Sequence, residues 1–281
     1  MVARTGHGRR LVWLSLLVVF AGATAEARAA EAQSAREILD RRKLLDETER
    51  HWDDREQAIT LHLFGSRGGE RTRELVVYER QLEGDERQSI LFFERPAEVR
   101  GTGFLAFSHP KVPADQWLFL PALKRVRRIT AETRKESFVG TDLSYHDLDL
   151  LQDMPSWTED DAASKLLGEA DVDGAATHVI ELRPKDADVD YGRIQLWLGK
   201  DDLISRRTYF FEGADDPADD PVKQVLQSDI KLVGPIPVPH RVEVLRPRRG
   251  SRTVMDVERV RFDQGLEEDL FTQRALERGE R

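Results

Sequence analysis

The sequence predicts a mainly β protein of the α+β class, built on one meandering antiparallel sheet of about eleven strands. Three observations support this prediction. Apolar and polar residues alternate with a period of two in many short stretches, which is typical of strands. These stretches recur about every 10 to 15 residues, and turns rich in Gly, Pro or Asp separate them. No linker-like change of composition interrupts the series, so we expect a single domain.

The N-terminus predicts an export signal. Three arginines among the first ten residues precede the apolar run Leu11–Ala23, and small residues suited to cleavage follow it. This is the layout of a secretory signal peptide, which we assign to residues 1–27, leaving residues 28–281 as the mature domain. At about 1.5 Å per residue, the run is too short to cross a hydrocarbon core of roughly 30 Å. A membrane anchor is therefore the weaker alternative.

Composition restricts the class of partner. The chain has 281 residues, of which 40% are hydrophobic and 34% charged, and its net charge is -9. Cleavage after residue 27 removes three Arg and one Glu, so the mature domain carries -11. Such an acidic domain is a poor partner for nucleic acid or an anionic bilayer. The absence of cysteine excludes disulfides, thiolate metal sites and lipid attachment to a cysteine.

The mature domain begins with a predicted helix. Residues Glu31–Trp52 repeat apolar side chains at helical spacing, and Ser34 followed by Glu37 fits a capping box. The period of the pattern then changes from helical to two. The first series of strand candidates is Ala58–Phe64, Arg71–Arg80, Glu86–Arg95, Gly101–Ser108, Asp115–Pro121 and Lys124–Thr130.

A helical segment interrupts the sheet. Residues Thr141–Pro155 combine four aspartates with leucines and a methionine, and Asp142 or Ser144 can cap a short helix there. Strand candidates then resume, and the chain closes with a short predicted helix at Leu266–Leu276. The second series of strand candidates is Ser164–Glu169, Thr177–Arg183, Gly192–Leu198, Leu203–Phe211, Val222–Leu232, Pro239–Leu245 and Thr253–Phe262.

The central strands are apolar on both faces. Successive side chains of a strand point to opposite sides, so Trp117 and Phe119 share one face while Leu118 and Leu120 share the other. Both faces then need a cover. One is ordinary core, and the other is either packed helices or a cavity for an apolar ligand, although core is the commoner place for any single aromatic. The candidates for a cavity wall are Phe92, Phe104, Trp117, Phe119 and Trp197.

A short basic segment follows the aromatic strand. Four cationic residues lie between Lys124 and Arg128, alternating in part with apolar ones. Arg125 and Arg127 are candidates for contact with an acidic partner or a lipid head group, because a guanidinium binds phosphate with two hydrogen bonds. The alternative is a solvated edge strand whose charges prevent aggregation.

Catalytic motifs are absent from the sequence. It contains neither a G-x-S-x-G elbow nor an H-E-x-x-H zinc motif. His146 with Asp142, Asp147 and Asp149 could form a metal site or an acid–base cluster. Helix capping and a solvated acidic face explain the same residues more simply. We therefore predict no catalytic residue, metal site or cofactor, and a protein that is not an enzyme.

Four blocks of the chain carry a family resemblance. They are Gly101–Leu105, Asp115–Ile129, Gly140–Leu148 and Ile236–Val244. Together they resemble the outer-membrane lipoprotein-sorting protein family, which is similar to LolA and associated with transporters of the resistance–nodulation–division type. The resemblance implies an unclosed antiparallel β-barrel covered by helices. It also implies a hydrophobic cavity that carries acyl chains through the periplasm.

The resulting functional hypothesis is a monomeric periplasmic carrier. It would bind an acyl chain or a lipidated protein and pass it to or from an inner-membrane transporter or an outer-membrane acceptor. The first alternative is a non-enzymatic periplasmic adaptor that docks to a transporter or envelope complex without carrying lipid. The second is an enzyme that uses His146 or an acidic residue in a formed pocket.

Overall fold

Alternating strands from Asp54 to Phe262 build one antiparallel sheet in the computed structural model, which describes Met1 and residues 34–110 and 112–279. Apart from Met1, the predicted signal peptide lies outside the described residues. Thirteen strands are present in the described part of the chain. They are β1 (Asp54–Phe64), β2 (Glu70–Gln81), β3 (Arg87–Arg95), β4 (Gly103–His109), β5 (Val112–Leu120), β6 (Arg125–Arg128), β7 (Ala162–Val172), β8 (Ala175–Pro184), β9 (Arg193–Gly199), β10 (Ser205–Phe211), β11 (Lys223–Val233), β12 (Ile236–Arg246) and β13 (Ser251–Phe262).

The order of the strands explains why the sheet stays open. The order is β6-β5-β4-β3-β2-β1-β13-β12-β11-β10-β9-β8-β7, so the edge strands are β6 and β7. Neighbours in the sheet are also neighbours in the chain, except where β1 pairs with β13. The chain leaves the edge strand β6 and must reach the opposite edge strand β7. Residues 129–161 make this connection, and they pass over one face of the sheet.

Helices cover both faces of the sheet. Helix α1 (Ala35–Glu47) and helix α2 (Tyr145–Asp153) pack on what we call the inner face, and helix α3 (Gln273–Arg278) packs on the outer face. The predicted capping box of α1 is confirmed, because Ser34 Oγ accepts from Glu37 N at 3.2 Å and Ser34 N donates to Glu37 Oε2 at 2.6 Å. Among the described residues, no helix is long and apolar enough to cross a membrane.

The predicted fold class is confirmed: a mainly β, unclosed antiparallel barrel with few helices. The number of strands in the described residues is thirteen and not about eleven, because each of the thirteen candidate stretches pairs with a neighbour. Even β6, which has four residues, pairs with β5 through Trp117 and Arg128 at one end and Leu120 and Arg125 at the other. Helix α1 ends at Glu47, earlier than the predicted Trp52.

Within the described residues, the core consists of three apolar clusters. The inner face holds two of them, one under α1 and α2 on strands β8–β12 and one under α2 on strands β1–β5. Both include the partly buried Leu148 of α2 and Met255 of β13, so they meet at the middle of the inner face. The third lies on the outer face, where Phe271 and Leu276 pack on Ile90, Phe92 and Leu105. The doubly apolar strands therefore have two covers.

Gly103 permits the outer cover to approach the sheet. A Cβ added to this residue would lie 2.6 Å from Leu276 Cδ1 and 3.2 Å from the ring of Phe92. Both of these side chains are almost completely buried. The space that a side chain at Gly103 would need is thus already filled by α3, which gives this glycine of the Gly101–Leu105 block a packing role.

We expect Gly103→Ala to destabilise the protein by about 1–3 kcal/mol, because the methyl group overpacks the contact with Leu276. Urea unfolding followed by tryptophan fluorescence measures this change. Gly65→Ala is the matched control, since its Cβ would meet nothing closer than Gly68 O at 3.8 Å. Equal stability of the two variants would contradict the packing role of Gly103.

Candidate functional site

A cavity of about 190 Å³ lies between the inner face of the sheet and the segment that carries α2. Strands β1–β5 and β13 form its floor, and residues between Phe138 and Gln152 form its roof. The side chains that line it are mostly apolar. The apolar side chains of the floor are Ile59, Leu61, Leu75, Val77, Leu91, Phe104, Ala106 and Met255, and the apolar side chains of the roof are Phe138, Leu143 and Leu148.

The polarity of the cavity changes along the strands. The register pairs Ile59 with Leu75 and Arg55 with Glu79, so the apolar pair and the charged pair lie at different levels of β1 and β2. Glu79 is only 3% exposed, and Arg55 Nε donates to its Oε2 at 2.6 Å. The Arg55 guanidinium also stacks on Trp52, 4.9 Å from the ring centroid. One end of the cavity is therefore bordered by an ion pair.

Buried hydrogen bonds attach the roof to the floor. Asp142 accepts from Ser251 Oγ at 2.5 Å and from Thr253 Oγ1 at 2.8 Å, while its own N–H donates to Thr253 Oγ1 at 3.0 Å. Arg73 donates to the carbonyl of Val139 from the other side. These bonds join strands β13 and β2 to the connection just before α2, and so fix the height of the roof above the sheet.

A buried ion pair holds α2 itself. Lys223 of β11 donates to Asp147 Oδ2, and Tyr191 OH donates to Asp147 Oδ1 at 2.5 Å. Asp147 also completes a capping box with Ser144, whose N–H lies 2.5 Å from Asp147 Oδ2. Burial opposes the charge on this carboxyl, but the Lys223 ammonium and these donors outweigh it and lower the pKa of Asp147. Helix α2 is thereby anchored to the sheet through its first turn.

We expect Lys223→Met to destabilise the protein by about 3–5 kcal/mol, because it leaves the Asp147 carboxylate buried without a counter-charge. The double variant Asp147→Asn/Lys223→Met should lose less than the sum of the two single losses, since neither unpaired charge remains. Denaturant titration of all four proteins gives the coupling free energy.

The control for this cycle is Lys231→Met on the same strand. Its pair with Asp229, at 2.6 Å, is more than half exposed and should contribute about 0–1 kcal/mol. A loss at Lys223 no larger than that at Lys231 would contradict the anchoring role of the buried pair.

A second cleft of about 640 Å³ also adjoins α2, and many charged side chains contribute to its lining. Asp149 and Asp153, one helical turn apart, line it together with His146, whose Nδ1 lies 3.0 Å from Asp190 Oδ2. Burial, reinforced by the neighbouring Asp149 carboxylate, raises the pKa of Asp153 to about 7. The charges of Arg87 and His109 oppose this shift but do not cancel it.

The raised pKa of Asp153 predicts how stability depends on pH. Because the folded-state pKa exceeds the usual aspartate value of 3.8, the folded protein favours the neutral acid. The associated stability is fully present below about pH 3.8 and is lost as the pH rises through about 7. Asp153→Asn should therefore raise the Tm near pH 8 by about 2–4 °C, for a gain on the order of 1 kcal/mol, and change it little near pH 4.

Calorimetry of both proteins at the two pH values measures this effect. Asp160→Asn, at an exposed position in the same cleft, should leave the Tm unchanged at both. A gain at Asp153→Asn that is the same near pH 4 and near pH 8 would contradict the assignment of the raised pKa.

The structure does not bring the five candidate wall residues together. Phe104 lines the inner cavity. Phe92, Trp117 and Phe119 face the opposite side, where they belong to the cluster under α3. Trp197 lies on the outer face near Tyr209, with ring centroids 4.7 Å apart. The register of β3 and β4 accounts for the division, because Phe104 pairs with Leu91 whereas Phe92 pairs with Gly103, so Phe104 and Phe92 point to opposite faces.

The candidate contact residues Arg125 and Arg127 lie together. Both are exposed on β6, the edge strand whose outer side has no neighbour among the described strands. Arg128 of the same strand binds Asp115 instead.

The four residues of the possible metal or acid–base cluster have separate roles. Asp142 binds Ser251 and Thr253, Asp147 binds Lys223, and Asp149 accepts from Ala114 N at 3.0 Å. His146 pairs with Asp190. No group of three potential metal ligands occurs within residues 34–110 and 112–279. These contacts favour helix capping and anchoring over a shared site.

Sequence reasoning missed the polar residues of the inner cavity. Gln116 of β5 is only 1% exposed and lines the cavity. Its signal in the sequence is its position between Ala114 and Leu118 on the same face of an otherwise apolar strand. The contribution of β13, through Thr253 and Met255, had no comparable signal, because it depends on the pairing of β1 with β13.

Comparison with known proteins supports a common class: an open, LolA-like β-barrel. An outer membrane lipoprotein-sorting protein domain from Vibrio parahaemolyticus is 27% identical with a TM-score of 0.76, covering 86% of this chain and 98% of that chain. A DUF1329 family protein from Desulfovibrio piger is 28% identical with a TM-score of 0.77, covering 87% of this chain and 100% of that chain.

A third structure shares the fold at lower identity. A LolA superfamily protein from Nitrosomonas europaea is 18% identical with a TM-score of 0.61, covering 87% of this chain and 100% of that chain. A family model described as an uncharacterized protein matches residues 85–278, and the chain belongs to this family. The resemblance to LolA-like, outer-membrane lipoprotein-sorting proteins is thus confirmed. No protein of curated function shows significant sequence similarity to the chain.

Proposed function

We propose that this protein is a non-enzymatic carrier that binds an acyl chain of a lipid or lipidated protein in the inner cavity. The observation that carries the proposal is the cavity itself, whose floor and roof are lined by Ile59, Leu91, Phe104 and Leu143. An apolar cavity bordered by a few polar groups is the usual form of a small-molecule site. The similarity to a lipoprotein-sorting protein domain supports a lipid as the occupant.

Uptake of a long chain requires the roof to move. The cavity measures about 190 Å³, whereas sites for drug-sized ligands usually measure about 300–1,000 Å³. The roof is one segment of the connection from β6 to β7, held to the sheet by the contacts of Arg73, Asp142 and Asp147. Displacement of this segment would join the cavity to the rest of the inner face.

The cellular setting completes the proposal. Residues 1–27 act as a cleaved signal peptide, and residues 28–281 act in the periplasm as a single monomeric domain. The carrier exchanges its cargo with an inner-membrane transporter of the resistance–nodulation–division type, with an outer-membrane acceptor, or with both. Arg125 and Arg127 on the exposed edge strand contact the acidic partner or the lipid head group.

One observation favours a second candidate function. The small volume of the cavity also fits a filled barrel that acts as a periplasmic adaptor, docking to a transporter or envelope complex without carrying lipid. In an adaptor the roof stays closed, and the exposed edge strand β6 serves as the docking surface.

Replacement of Val77 separates the two functions. Val77→Phe places a larger side chain inside the cavity, so a carrier should bind the fluorescent apolar probe N-phenyl-1-naphthylamine at least about tenfold more weakly. Trp117→Ala on the outer face is the control, and it should leave binding unchanged although it loosens the packing under α3. Fluorescence titration measures binding, and native mass spectrometry with lipid extraction identifies any lipid that co-purifies.

Two outcomes would count against the carrier. If the unmodified protein neither co-purifies with lipid nor binds the probe, the adaptor is favoured. If Trp117→Ala abolishes binding while Val77→Phe does not, the ligand lies under α3 among the aromatic residues Phe92, Trp117 and Phe119, and the inner cavity is not the site.

A further inference from the structure

Gln116 leaves a hydrogen-bond acceptor unused at the floor of the inner cavity. The residue is only 1% exposed, and its Nε2 donates to the carbonyl of Tyr145 at 3.2 Å. That contact fixes the orientation of the amide, because a carbonyl oxygen accepts hydrogen bonds and only the NH2 group of the amide can donate one. The Oε1 atom of Gln116 has no partner. A buried amide oxygen without a donor is uncommon in a folded protein and calls for an explanation.

Asp149 leaves a second acceptor unused on the roof. The residue is only 7% exposed, and its Oδ2 accepts from the backbone N–H of Ala114 at 3.0 Å. Its Oδ1 has no partner, and the residue lines the same cavity as Gln116. Burial raises the pKa of Asp149 because the protein groups around the carboxylate do not compensate for its desolvation, and a donor brought by a ligand would stabilise the charge.

Most other polar groups around the cavity bind one another. Arg55 donates to Glu79, and Ser108 Oγ donates to Gln152 Oε1 at 3.1 Å. Thr253 exchanges hydrogen bonds with Asp142. The floor thus has one acceptor without a donor, Gln116 Oε1, and the roof has another, Asp149 Oδ1.

We infer that the cavity recognises a cargo whose apolar body carries a hydrogen-bond donor, either a hydroxyl or a protonated amine, at the end that reaches Gln116 and Asp149. A chain that ends in an acceptor alone, such as a carboxylate, a phosphate or an ether, leaves both oxygens unpaired and is discriminated against. This inference rests on the proposed carrier function and specifies the chemistry of its cargo.

A matched series of short-chain ligands tests the inference. Decanol, decylamine, decyl methyl ether and decanoate share an alkyl body and differ in the polar end. Each is used to displace the fluorescent probe N-phenyl-1-naphthylamine from the purified protein. Decanol and decylamine should displace the probe at concentrations at least about tenfold lower than the ether and decanoate require.

Two variants distinguish the hydroxyl from the amine. Asp149→Asn removes the negative charge, and because its single oxygen accepts from the backbone N–H of Ala114, it presents an NH2 donor to the ligand. A hydroxyl can accept from this donor but a protonated amine cannot, so the variant should weaken decylamine selectively and leave decanol nearly unchanged. Gln116→Met removes the other acceptor and should weaken both ligands. Glu98→Gln, a matched change of charge at an exposed position, should alter neither. Thermal unfolding verifies that each variant is folded. If a variant is unfolded, the ligand series on the unmodified protein still tests the preference for a donor.

The outcomes separate this inference from the proposed function. Equal displacement by all four ligands, or stronger displacement by decanoate or the ether, overturns the donor preference while the carrier remains supported. Failure of every ligand and of the probe to bind overturns the carrier itself. A donor preference that Asp149→Asn and Gln116→Met both leave intact assigns the recognition to other residues and overturns the roles of Gln116 and Asp149.

Discussion

The buried ion pair between Asp147 and Lys223 determines where the covering segment lies. The chain must cross from the edge strand β6 to the opposite edge strand β7, and the crossing passes over an apolar face. Apolar packing alone does not fix the position of α2, because the hydrophobic effect has no direction. The charged contact with β11, together with Tyr191 OH, supplies that direction. Once α2 is placed, both inner clusters and both cavities are defined.

Two covers are needed because the central strands are apolar on both sides. The inner cover is the long crossing connection, whereas the outer cover is the C-terminal helix α3. They differ in how they attach. The inner cover is held by buried polar groups around a cavity, and the outer cover is packed without space over Gly103. This difference makes the inner side suitable for an exchangeable ligand and the outer side suitable for stability.

The polar groups of the inner cavity fall into two kinds, those that hold the roof and those that are available to a ligand. Groups that hold the roof, such as Asp142 with Thr253, satisfy one another. Gln116 Oε1 and Asp149 Oδ1, in contrast, have no partner, although burying polar atoms without partners is costly. Each such atom calls for an explanation, and a ligand that supplies a donor provides one. A carrier that encloses an apolar chain and recognises a donor at its end would combine both properties in one space.

The sequence by itself determined the class of fold, because strand alternation, turn residues and capping boxes are local features of the chain. Ser34 with Glu37, the helical segment after Thr141 and the doubly apolar strand at Trp117 could all be predicted in this way. The composition of the cavity was decided only by the tertiary structure. Strand alternation places Phe104 and Leu105 on opposite faces, and likewise Trp117 and Leu118, but which face meets α2 depends on the pairing of β1 with β13 and on the partner of Asp147. Those contacts join residues far apart in the chain, and no local pattern encodes them.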